Sequence, residues 1–242
     1  MGKIWLIAKR ELGSYFRTWM GYVIGAAALL INGLLFNAFA IGDKPKFSAD
    51  VLADFFYFSS GIGMAAGVFL AMRLLAEEKQ TGTIVLFFTS PITERQLIYG
   101  KYLSALIFFL FLQALTIYLP ALIFISGKVS FGHVAAGYFG VTLLGMVVLA
   151  ISLLASVISP NQMVSGILGA AITVGLLVLW MLSLVVDDPF RDLFGYMSIH
   201  NNHFTPFSRG LVNLKDVVFY AGVMVFFLEC SVRSLEAKRL QG

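Results

Sequence analysis

Six long apolar runs separated by short polar interruptions constrain this chain more than any single motif does. They occupy roughly residues 20–41, 51–76, 102–125, 133–158, 163–186 and 217–232. A helix crosses the hydrocarbon core of a bilayer with about 20 apolar residues. Inside lipid the backbone has no water to bond, so such a segment satisfies itself as a helix. The expected fold class is therefore all-α and integral to the membrane, with six transmembrane helices. Six spans take up about 120 residues, which leaves no room for a soluble catalytic domain in a chain of 242. Residues 1–242 read as a single membrane domain. Charge content agrees: 12% Asp, Glu, Lys and Arg is half the roughly 25% of soluble domains.

The segments between the runs carry the rest of the information. Residues 3–19 interleave Ile4, Trp5, Ile7, Leu12, Tyr15, Phe16 and Trp19 with Lys3, Lys9, Arg10, Glu11 and Arg17. That mixture suits a helix lying in the membrane interface, with aromatic rings at headgroup depth and cations reaching water. A plain basic tail is the other reading. Lys9, Arg10 and Glu11 interrupt before an apolar core forms, so no cleavable signal peptide is expected. Residues 42–46 read as a short polar loop and 126–128 as a turn. One cysteine, Cys230, excludes an internal disulfide or thiolate cluster. The net charge of +4 does not point to nucleic acid, because the basic residues flank spans instead of gathering on one face.

Charge also sets the expected orientation. With the N-terminus inside, Lys3, Lys9, Arg10, Arg17, Arg73, Lys79, Arg95, Lys101, Arg233, Lys238 and Arg239 fall on the cytoplasmic side. Lys44, Lys46, Lys128, Arg191, Arg209 and Lys215 fall outside. Eleven against six is the sense of the positive-inside bias, so both termini are expected in the cytoplasm.

Signatures of catalysis are missing. The sequence has no G-x-x-x-x-G-K-S/T phosphate loop, no H-E-x-x-H and no Cys/His constellation. His200 and His203 have a metal-like spacing, but an exposed polar loop tip is the better reading. Asn32 and Ser152 read as isolated polar residues that pack or bond their own helix, against an intramembrane enzyme. Asp54, Arg73 and Glu229 lie near span ends, where snorkelling lowers the burial penalty, and Glu229 is spaced to pair with Arg233. No midplane carboxylate suggests an ion-coupled carrier. Small residues at 61–67 and 166–175 suit close helix packing or a dimer seam.

The stretch 77–101 is the most informative polar segment. Charged residues close the second run, then Ile84, Leu86, Phe87 and Phe88 precede a Ser90–Pro91 break and a capping-box pattern from Thr93 to Gln96. This reads as two short amphipathic helices whose apolar faces need either a partner surface or the bilayer interface. Glu77, Glu78, Lys79, Thr81, Gly82, Thr83, Ser90 and Pro91, followed by Gly100 and Lys101, resemble the first cytoplasmic loop of type-2 ABC exporter permeases. A second stretch, from His203 through Phe207, Arg209, Gly210 and Asn213 to Asp216 and Tyr220, is similar to permeases of the gliding-motility and nitrous-oxide-reductase-maturation branch.

The resemblance implies a permease subunit with no cofactor of its own, ATP and Mg being bound by a separate cytoplasmic ABC ATPase. It implies a second permease copy or paralogue, an interfacial connecting helix at 1–19 and a coupling loop at 77–101. Localisation would be the bacterial cytoplasmic membrane, in contact with lipid. Residues 187–216 would form re-entrant or interfacial helices on the outer face, with Phe190, Phe194, His203, Phe207, Arg209 and Gly210 as candidates for a gate or a periplasmic partner's dock. The competing reading is a non-transporting anchor that links cytoplasmic and periplasmic partners.

Overall fold

The computed structural model describes residues 2–41, 46–126 and 129–241. Most of the 42–46 loop and of the 126–128 turn lies outside the described residues, with Lys44 and Lys128. Among the described residues there are helices and no strand. In chain order they are α1 (Gly2–Arg17), α2 (Trp19–Leu35) with a π-helical extension (Phe36–Ile41), α3 (Ser48–Ala71), α4 (Ala76–Gln80) and α5 (Ile84–Phe88). There follow α6 (Glu94–Leu115), α7 (Tyr118–Ser126), α8 (Phe131–Ile158), α9 (Gln162–Ser183), α10 (Phe190–Met197), α11 (Asn201–Ser208) and α12 (Leu214–Gln241). Six stretches of helix are long and apolar enough to cross a membrane, in the six places the sequence indicates.

The core is built around α8. Its most apolar window is 78% buried, against 17% for α2 and for α9. Such centrality needs small residues on several faces, because helices in lipid associate by close packing. A Cβ at Gly137 would sit 2.2 Å from the Phe56 ring of α3, and one at Gly145 would sit 2.2 Å from the Phe109 ring of α6. On a further face Gly140 admits Phe207 of α11. One helix thus seats rings from three neighbours.

Two spans are interrupted, each for a local reason. Between α6 and α7, Pro120 cannot donate to the Thr116 carbonyl four residues earlier and would crowd it, so the helix breaks at Thr116–Ile117. Thr116 Oγ1 closes the end of α6 on the Gln113 carbonyl at 2.7 Å. Between α3 and α4 the break at residues 72–75 is satisfied from outside. Ser156 Oγ of α8 accepts from the Leu75 and Ala76 amides and donates to the Met72 carbonyl, each at 2.9 Å. A freed backbone inside a membrane protein needs such a partner.

Candidate functional site

At the end of the bundle where α8 terminates, α1, α4, α5 and α6 meet around Lys101. This side chain is 1% exposed. Its Nζ lies 2.7 Å from Glu78 of α4 and 3.3 Å from Glu11 of α1. Arg10 completes the group, 2.7 Å from Glu11 and 3.7 Å from Glu78. Both cations lie over the Phe87 ring of α5, Arg10 at 5.1 Å and Lys101 at 5.5 Å from its centroid. Close approach makes the cluster possible, for at Gly100 a Cβ would stand 2.8 Å from Ile7 of α1. Removing two carboxylates and an ammonium from water is costly, and mutual pairing is what offsets it.

Neighbouring charges also turn inward. Lys79 Nζ bonds the carbonyls of Ser156 (3.2 Å), Ser159 (3.0 Å) and Val157. Lys238 of α12 bonds Val157 and Ile158 at 2.8 and 3.1 Å. Cations at a helix C-terminus satisfy its last carbonyls and its dipole. Arg73 does not snorkel. It is buried over the Tyr15 ring at 4.9 Å, bonded to Ser14 Oγ at 2.8 Å, and paired with Glu77 at 3.4 Å. Glu229 pairs with Arg95 at 3.1 Å and accepts from Tyr99, in place of the expected Arg233.

Apart from Glu77, whose side chain is 45% exposed, what remains outward on α4–α5 is a tip without ionised groups. Gln80, Thr81, Gly82 and Thr83 are exposed, as are Val85 and Leu86. Gly82 has φ +72°, a turn that L side chains rarely adopt. Ile84 and Phe87 pack on the core from the same short helix. Ser90 and Pro91 lead to α6, with the Pro91 carbonyl held by Lys3 of α1 at 2.7 Å. The Thr93–Gln96 capping box forms as its spacing predicts.

The opposite end is assembled around two histidines and one buried carboxyl group. His203 is buried on α11, stacked on Phe219 of α12 at 3.8 Å. Its Nε2 donates to the Tyr196 carbonyl at 2.9 Å, and a proton is held between its Nδ1 and Asp216 Oδ1 at 2.7 Å. Asn213 donates to the other oxygen of Asp216 at 3.1 Å. Tyr220 donates to the Ile199 carbonyl at 2.8 Å, and His200 Nε2 meets Ser60 Oγ of α3 at 2.7 Å. The two histidines are therefore not an exposed loop tip. Burial lowers the pKa of His200, and the described residues form no metal-binding group of acids, histidines or cysteines.

The six outer candidates divide. Phe207 lies in the core with His203, while Phe190 and Arg209 are exposed and Phe194 is half-buried, stacked on Phe190 at 6.3 Å. Gly210, at φ +83°, turns the chain against His133, whose Nε2 donates to the Ser208 carbonyl at 2.8 Å.

A family model described as ABC-2 family transporter protein matches residues 17–179, about two thirds of the chain. The chain belongs to the ABC-2 transporter family. Comparison with curated proteins finds no match. Membership makes the chain a multi-pass membrane subunit and implies a cytoplasmic ABC ATPase as its partner. The match runs from the end of α1 through α9 and so contains the α4–α5 element. Sequence reasoning missed Glu11, Arg10 and Ser156 as partners of this ABC-2 subunit's α3–α4 region. Only the odd placement of an acid between Arg10 and an apolar face hinted at Glu11.

Proposed function

We propose that the chain is the permease subunit of an ABC transporter in a bacterial cytoplasmic membrane, with both termini and α4–α5 on the cytoplasmic side. Two copies, or one copy and a paralogue, assemble with two ATPase subunits. The α4–α5 tip docks into the ATPase, and the buried Glu11–Lys101–Glu78 cluster carries its displacement to α1 and α6. ATP-driven closure thereby shifts the population of membrane-domain states. The observation that carries this reading is the pairing of an exposed, uncharged tip at 81–86 with an ionic anchor directly behind it.

A groove of about 820 Å³ between α3 and α9 fits the same reading. Gly61, Ala65, Gly166 and Ala170 line it, so it supplies a close-packing seam for the second copy or a wall of the transport path. On the opposite face α10 and α11 close the bundle and present Phe190, Phe194 and Arg209 to a periplasmic partner. The 203–213 stretch favours the gliding-motility and nitrous-oxide-reductase-maturation branch.

Purification in detergent with the ATPase encoded beside this chain tests the proposal. Stoichiometric capture, together with nucleotide-dependent accessibility of a cysteine placed at Ala65, is the expected outcome. Capture without any nucleotide-dependent change would favour the anchor reading, and no capture in several lipids would remove the ATPase partnership altogether.

A further inference from the structure

Within the spans, between the two ends, four helices converge on a cavity of about 40 Å³ whose wall is mostly apolar but includes a cluster of polar side chains. Asn32 of α2, Ser59 of α3, Gln113 and Thr116 of α6, and Tyr138 of α8 all line it. Asn32 is thus not isolated, as its sequence context implies, but one member of a cross-helix group.

Most of the group's hydrogen bonds can be assigned. Ser59 donates to Asn32 Oδ1 at 2.7 Å, and Asn32 Nδ2 donates to the Ala28 carbonyl at 2.9 Å. Thr116 spends its proton on the Gln113 carbonyl, so across the 3.1 Å contact Tyr138 is the donor and keeps a free acceptor lone pair. Gln113 does not close. Its Oε1 lies 2.9 Å from Thr142 Oγ1, and its buried Nε2 has no partner among the described residues. Turning the carboxamide over only exchanges which end is stranded, because Thr142 can donate to the Tyr138 carbonyl at 2.8 Å and accept from the amide. Either way one end of Gln113, which lines the cavity, is left without a partner among the described residues, and such a group is expensive inside a membrane.

We propose that this cavity is a water-binding site, and that the bound water joins α2 and α3 to α6 and α8. Water is the ligand the geometry selects. It donates and accepts, so it satisfies Gln113 in either orientation while donating to Tyr138 or Asn32. The volume exceeds the roughly 10–15 Å³ that one molecule needs, and the required two to four polar partners are present. Asn32, Ser59, Gln113 and Thr116 carry no charge, so the site offers nothing to balance an ion. The site matters most to α2, whose buried residues are Gly21, Gly25 and Asn32. Asn32 is the buried polar side chain of α2 among the described residues, and water extends its contact with Ser59 across the bundle. This inference is independent of the ATPase partnership.

X-ray hydroxyl-radical footprinting of the full chain in nanodiscs tests it. Leu112 lines the cavity and is 7% exposed, while Leu149 is fully buried away from it. Their intrinsic reactivities are equal. In the wild type, Leu112 is oxidised several-fold faster than Leu149, because hydroxyl radicals form from the water beside it and abstract its side-chain hydrogens, and dissolved O₂ adds to the resulting carbon radical. Gln113→Leu, close to isosteric, brings Leu112 down towards the rate of Leu149. Equal rates in the wild type overturn the proposal without recourse to any variant. Fast labelling of Leu112 that persists in Gln113→Leu overturns the assignment of Gln113 as the group that holds the water.

Discussion

Where α8 ends, its carbonyls are met by Lys79 and Lys238, and beside them Glu11, Glu78 and Lys101 form a buried ionic cluster. Where α8 begins, the surrounding contacts are imidazole, phenol, amide and carbonyl groups, with Asp216 as the fully buried carboxylate. Both ends contain short helices between spans, yet one holds them with a cluster of four charged side chains and the other with a single buried His203–Asp216 contact, hydrogen bonds and stacked rings. The difference teaches what each end can do. An ionic clamp with an exposed apolar tip is an arm on a fixed hinge, suited to transmitting force from a partner. A cap whose His200, His203, Asp216 and Tyr220 find partners within the bundle is suited to staying closed.

Removing one partner from the ionic cluster should have the largest effect. Lys101→Met leaves two largely buried carboxylates with only the exposed Arg10 to offset them, and a broken buried pair costs about 3–5 kcal/mol. Chemical unfolding in detergent should register that loss, and Lys101→Met with Glu78→Gln and Glu11→Gln together should recover much of it. At the other end Asp216→Leu strands the Nδ1 of His203 and the amide of Asn213. One or two unsatisfied buried groups cost about 1–3 kcal/mol, so this variant should unfold at a denaturant concentration between those of wild type and Lys101→Met. If the order of these two variants were reversed, the contrast between the ends would be wrong.

The places where the sequence was legible and where it was not follow the same divide. Apolar length located all six spans, and Pro91 and the Thr93–Gln96 box announced the start of α6, because each is a local rule of backbone geometry. Partners across the bundle were not legible. Glu78 and Lys101 are 23 residues apart, and Lys79 and Ser156 are 77 apart. Nothing in either segment specifies which side chain will face which. Arg73 reads in the sequence as a cation snorkelling from a span end, whereas folding turns it inward together with Glu78 and Lys79. His200 and His203 misled for the same reason: the partners that bury them, Ser60 and Asp216, come from other helices.

Smaller effects sharpen the comparison. Gly82→Val forces a β-branched residue into the left-handed region, at about 1–2 kcal/mol, yet the space around Gly82 is open. Coupled ATP hydrolysis should fall while the melting temperature changes by only a few degrees; unchanged coupling would detach the turn from the arm. The smallest effect depends on pH. Burial holds His200 below its ordinary 6.5, so its contribution to stability is complete above that value and lost as pH falls through its folded-state pKa. For Glu11, burial pushes the carboxyl up, but Lys101 and Arg10 outweigh it and hold it below 4.5. Its contribution is therefore complete above that value and lost only in stronger acid. Between pH 7 and 5, hydrogen exchange should accelerate in α11 and not in α1 once intrinsic rates are removed. His200→Asn should abolish the change; parallel acceleration at both ends would contradict the division.

The decisive comparison is between a change on the tip and one behind it, read by capture of the ATPase and by melting temperature in the same preparations. Leu86→Glu places a charge on an exposed residue (68% accessible), and should abolish capture while leaving the melting temperature near wild type. Glu78→Gln should lower the melting temperature and leave capture largely intact at temperatures where the protein is folded. Capture that survives Leu86→Glu, and is lost in a stably folded Glu78→Gln variant, would mean that the inward charges and not the tip make the contact.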